Sequence, residues 1–168
     1  MRRLAFSMLA AMTSCAYSVH HTPAPTRPAA VRVFERPFDD VWSAVVGWFA
    51  SSNISLDKVE KGSGLLTAKY PLATNDNAVD IGKVESSGFW AYGDPEVTNH
   101  TVNLNVFARQ LGPQSTEVTV NVFGSFEARV WWGLLVRNDP PSLYTGRSES
   151  RGVIEASVFA HVERLLAQ

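Results

Sequence analysis

The sequence predicts an α+β domain: a curved antiparallel sheet with an N-terminal helix and a long C-terminal helix packed on one face. Three observations lead there. Apolar residues recur at helical spacing from Pro37 to Ser52, apolar and polar residues alternate strictly around Val102 to Val106 and Val118 to Val130, and a second helical stripe closes the chain. The order β, α, several β, α shows no βαβ repetition, so strands should pair with their neighbours and helices gather on one side.

Each element has its own signal. Val31 and Val33, flanked by Arg32 and Phe34, read as a short strand before Pro37. In the helix that follows, Phe38, Val41, Trp42, Val45, Trp48 and Phe49 form the apolar stripe, and Asp39 and Asp40 sit in the first turn, where the helix dipole favours negative charge. Ser51, Ser52 and Asn53 provide the stop. Ile54 to Glu60 and Leu65 to Tyr70 read as a hairpin joined by Lys61-Gly62-Ser63-Gly64, while 71–77 has loop composition and Val79 to Trp90 suggests one irregular strand. Val102, Leu104 and Val106, then Val118, Val120, Val122, Phe126 and Val130, alternate with polar partners as half-buried antiparallel strands do, and Gly112-Pro113 suits the connection. Residues 137–147, with two prolines, read as a long loop or a strand extension. From about Ser150 the stripe Ile154, Val158, Val162 and Leu165 predicts the final helix, with Glu155 and Glu163 on its wet side.

The N-terminus reads as an address. Residues 1–14, MRRLAFSMLAAMTS, have a positive end, a short apolar run and small residues before Cys15, the pattern of a secretory signal. The apolar run falls short of the roughly 20 residues a membrane-spanning helix needs. Met12-Thr13-Ser14-Cys15 resembles the lipobox of bacterial lipoproteins, and that resemblance implies cleavage before Cys15 and acylation of its sulfur; an ordinary signal peptide with a free cysteine is the alternative. Ala16 in place of Asp implies, by the same resemblance, transfer to the outer membrane facing the periplasm, with the inner membrane second. Residues 15–30, with Pro23, Pro25 and Pro28, read as the lipidated cysteine and a tether reaching about 45 Å if extended as polyproline II, and 31–168 as the single domain.

Charge and composition narrow the partners. Of 168 residues 45% are hydrophobic and 18% charged, which suits one globular core. The net charge is -1, and loss of Arg2 and Arg3 with the signal leaves 13 basic against 16 acidic residues, so no nucleic-acid partner is expected. A single cysteine excludes an internal disulfide.

The stretch FDDVWSAVVGWFASSNISLDKVEKGSGLLTAKY, from Phe38 to Tyr70, resembles envelope lipoproteins with a helix-grip type domain, among them the C component of the β-barrel assembly machine (BamC). Ser148 to Glu155 looks like the start of the last helix in uncharacterised lipoproteins of this kind. The resemblance implies a fold and says little of function.

Chemistry is sparse. Gly62-Ser63-Gly64 lacks the lysine and hydroxyl of a phosphate loop, His100 and His161 stand alone and read as structural, and the adjacent His20-His21 lack a third ligand. No catalytic residue, metal or cofactor is expected. The aromatic groups Phe89-Trp90-x-Tyr92, before the turn Gly93-Asp94-Pro95, and Trp131-Trp132 remain. Successive strand residues face opposite sides, so Trp131 and Trp132 cannot share a core layer. Trp90, Tyr92, Trp131 and Trp132 are therefore candidate contacts with an envelope protein, the membrane being held through the lipid anchor. The sequence thus suggests a non-enzymatic interaction or accessory assembly module. The alternative is a carrier or sensor of a hydrophobic ligand, with Trp42, Phe49, Phe107 and Phe126 lining a pocket between helix and sheet.

Overall fold

The computed structural model describes residues 17–20, 30–71, 79–80, 83–86, 91–132 and 141–168. In chain order these form β1 (Tyr17–His20), β2 (Val31–Phe34), α1 (Phe38–Ser51), β3 (Leu56–Glu60), β4 (Leu65–Pro71), β5 (Val79–Asp80), β6 (Lys83–Ser86), β7 (Ala91–Gly112), β8 (Ser115–Trp132), β9 (Ser142–Ser150) and α2 (Val153–Leu166). Seven strands make one antiparallel sheet in the order β3-β4-β7-β8-β9-β5, with β2 also on β8. β2 pairs with Thr116 to Thr119 and β9 with Phe123 to Val130, so they lie end to end along the same edge of β8. The α+β class and the packing of both helices on one face are as the sequence predicts. The two helices are equal in length, α1 and α2 each having 14 residues.

Local chemistry sets the helix ends. Pro37 caps α1, where a missing N–H costs nothing, and Asp39 and Asp40 occupy the positive end of the dipole. At the other end Asn53 adopts φ 54°, and the Ile54 N–H reaches back to the Phe49 carbonyl at 3.1 Å, a Schellman closure that turns Ile54 toward the core. Gly152, at φ 82°, opens α2, and its N–H bonds the Ser150 hydroxyl at 3.0 Å.

That hydroxyl in turn donates to the Glu155 carboxylate at 2.8 Å. Glu155 is buried, which corrects its assignment to the wet side of α2. The buried face is wider than the stripe suggested: Phe159 joins Ile154, Val158 and Val162, and Glu155 lies one turn before Phe159 on the same face, while Leu165 is partly exposed. A first-turn carboxylate tolerates burial because Ser150 and the helix dipole compensate its lost hydration.

The core lies between the helix pair and the sheet. Val41, Val45, Trp48 and Phe49 of α1 and Val158, Phe159 and Val162 of α2 pack with Leu66, Val102, Leu104, Val106, Val118, Val120 and Val122 from the strands, all buried. Each such side chain contributes about 1.5–3 kcal/mol on leaving water. Trp48 keeps its indole N–H satisfied by donating to Ser157 on α2 at 3.1 Å.

Three further readings change. β7 runs through Gly93-Asp94-Pro95 without turning back, its register shifting between Tyr92 and Glu96 and again between Val97 and Asn99, so bulges absorb the turn residues inside the strand. Of 137–147, read as a long loop or a strand extension, the part from Ser142 belongs to a full strand on β8 that runs to Ser150, so the final helix starts at Val153 and not at Ser150. Tyr17–His20, within the presumed tether, pairs with Lys83–Ser86 as a separate antiparallel ribbon.

Candidate interaction surface

Residues opposite one another on antiparallel strands share a face, so the register sorts the sheet into rows. The helix-facing row Leu66, Val106 and Val120 is buried. One residue along, Leu65, Phe107, Thr119 and Val31 form the matching row on the opposite face, crossing β4, β7, β8 and β2. Phe107 is 37% exposed, Val31 45% and its neighbour Val33 47%. An antiparallel sheet with one wetted face ordinarily carries polar residues there, as Thr67, Asn103, Asn105 and Asn121 do here. Phe107 and β2 interrupt that pattern. Phe123 and Leu143 interrupt it again, at 50% and 70% exposure, and beside Phe123 lies a groove of about 450 Å³ lined by Asn103, Ser125 and Arg147.

The four residues grouped as a pocket do not share one. Trp42 and Phe49 are core residues of α1, Phe107 is on the far face of the sheet, and Phe126 is buried on the helix-facing side but outside the main core. The reason is the period of two: Phe107 follows inward-facing Val106, whereas Phe126 has the parity of Val122.

Phe126 belongs to a second cluster on the same face, farther along β8. It meets His100 edge-on, with ring centroids 6.5 Å apart, and Tyr144 at a tilt. His100 Nε2 and the Ser148 hydroxyl lie 2.9 Å apart, bridging from β7 to β9 across β8, and both side chains are buried. Two glycines make room: a Cβ on Gly124 would come within 1.9 Å of Ser148 Oγ, and one on Gly146 within 2.3 Å of the Phe126 ring. This buried bridge ties three strands together. It was invisible in sequence because His100 and Ser148 are 48 positions apart.

Of the remaining candidates, Cys15 and Trp90 lie outside the described residues. The register sets Tyr92 opposite Trp131 and Ala91 opposite Trp132, so the aromatic segments meet at one end of the β7–β8 ribbon. His161 lies at the α1–α2 contact, where burial first and the Arg164 charge second hold its pKa below the ordinary value. Among the described residues no group of His, Cys, Asp and Glu has metal-binding geometry, and no helix is long and apolar enough to cross a membrane.

No family model and no curated protein matches the chain. Among solved structures it is similar to the Zhui aromatase/cyclase from Streptomyces sp. R1128, at 13% identity and a TM-score of 0.25, over 91% of this chain and 87% of that one. A likeness of that degree carries no argument about function.

Proposed function

We propose that this chain is a non-enzymatic envelope lipoprotein, exported by residues 1–14, acylated on Cys15 and held at the outer membrane facing the periplasm, where its domain docks a protein partner as an accessory assembly module. The address rests on the Arg-led apolar segment and Met12-Thr13-Ser14-Cys15. The docking role rests on one observation: apolar side chains of β2, β7 and β8 interrupt the polar face of the sheet where no described element covers them. Apolar residues gathered on an otherwise polar face are what a partner's desolvated centre requires.

The test is photo-crosslinking in cells with the full-length chain, using probes at Phe107, Phe123, Tyr92 and Trp132 and a control probe at Ser43 on the exposed side of α1. A discrete protein adduct from the sheet probes and none from Ser43 is the expected result. Lipid adducts without protein would transfer the role to the carrier of a hydrophobic ligand, and equal labelling from Ser43 would remove the specific surface.

A further inference from the structure

We propose that the chain forms a twofold dimer by pairing β2 with β2 of a second copy, so that the sheet continues from one molecule into the other. The inference stands apart from the docking reading, which uses the face of the sheet and not its edge.

Hydrogen-bond phase exposes the edge. The Val120 N–H donates to the Ala30 carbonyl at 2.7 Å, and in an antiparallel pair such bonded residues recur at every second position. Arg32 and Phe34 therefore turn their N–H and C=O groups toward β8, while Val31 and Val33 turn theirs away from it. No described strand lies on that outer side. β5 meets only Glu149 and Ser150 of β9, and Glu149 is level with Phe123, whereas β2 lies beside Thr116 to Thr119. Both valines are about half exposed.

The other open edges are guarded and this one is not. β3 carries Asp57, Lys58 and Glu60 and a register shift between Leu56 and Lys58, and β5 has only two residues; charge, irregularity and brevity are what keep a free edge from pairing. β2 holds four successive pairs without a shift, and its charged residue, Arg32, is neutralised by Glu163 and laid over the Phe159 ring at 5.0 Å. An unguarded edge is a template for another strand.

A second copy fits it by symmetry. A twofold axis through Val33, perpendicular to the sheet, maps each face onto itself and sets Val33 opposite Val33, Val31 opposite Glu35 and Arg32 opposite Phe34 of the other molecule. Val33 then exchanges two hydrogen bonds with its twin, and no like charges stand directly opposite. Each Arg32 comes beside a second aromatic residue instead. An axis through Arg32 would bring two guanidinium groups together, which selects the first register.

Sedimentation velocity of the full-length protein in mild detergent reads the association, and the expected result is a concentration-dependent dimer. Val33→Lys places two ammonium groups opposite each other at the axis and should weaken that dimer at least about tenfold, while Val59→Lys, on the guarded β3 edge, leaves it unchanged. Position 33 is exposed on the far face, so the monomer accommodates the lysine. A protein that is monomeric at every concentration, or a dimer indifferent to Val33→Lys, overturns the proposal. Val33→Cys supplies a second readout in cells, since the paired residues lie about 5.5 Å apart across the axis. A short bis-maleimide should give a product of twice the chain's mass, absent with Val59→Cys and with the wild type, whose cysteine is Cys15 alone. Capture of a different protein from Val33→Cys, with no product of two chains, gives the edge to a foreign strand and overturns self-pairing.

Discussion

The helix-facing side of the sheet is built in two ways along the same pair of strands. From Val102 to Ala108 and from Val118 to Val122, β7 and β8 present aliphatic residues to the helices, and packing alone holds the layers together. A few residues farther on, the same inward positions become His100, Gly124 and Phe126, joined by Gly146 and Ser148 of β9. There a buried polar bridge and an aromatic ring are laid over glycines. Helices cover the first region, so bulk can point upward into them; in the second, side chains extend sideways over neighbouring strands, and glycine is the condition for that.

Predictions that sharpen the contrast begin where bulk matters most. Phe49→Ala removes a fully buried ring of α1 and should cost about 3–5 kcal/mol in denaturant unfolding. A loss below about 1 kcal/mol would mean the helix layer is loosely packed. Gly124→Ala should cost about 1–3 kcal/mol, because the new methyl overlaps Ser148 Oγ. Ser148→Ala should cost about as much, through the buried imidazole nitrogen it leaves behind. The double variant is expected to lose less than the two penalties added, since each substitution removes part of the other's conflict. Strict additivity would show that Gly124 matters for another reason.

The smallest expected effect concerns pH. His161 has its folded pKa below the unfolded 6.5, chiefly through burial, so the folded state binds its proton less readily. Any contribution is fully present above pH 6.5 and is lost as pH falls through the lower folded value. His161→Gln should flatten that part of the stability profile; an unchanged slope would place its origin elsewhere.

Much of the helix-packed region was legible in the sequence, because large apolar residues announce both periods: α1, β2, the β3–β4 hairpin and the centres of β7 and β8 fall where the patterns predict. The second region was not. In β9 the inward positions are Gly146, Ser148 and Ser150, so alternation exists in burial but not in hydropathy. Phe107 cannot share a pocket with Trp42, because strand parity and not residue type decides which face of the sheet a side chain takes. The burial of Glu155 is not legible in the helical stripe, because its partner, Ser150, lies before the helix and comes within reach only where the chain turns at Gly152.

The ribbon of β1 and β6 alters the mechanics of attachment. In a chain acylated at Cys15, only Ala16 separates the anchored residue from Tyr17, already paired with Ser86. Two residues span about 7 Å at full extension, against the roughly 45 Å of a free fifteen-residue leash. The lipid would then hold the protein by β6, a piece of its own middle, as well as by the chain leading to β2. On that proposal, a pull on the anchor would load the four residue pairs of the β1–β6 ribbon first, so that pairing would bear the opening share of the force.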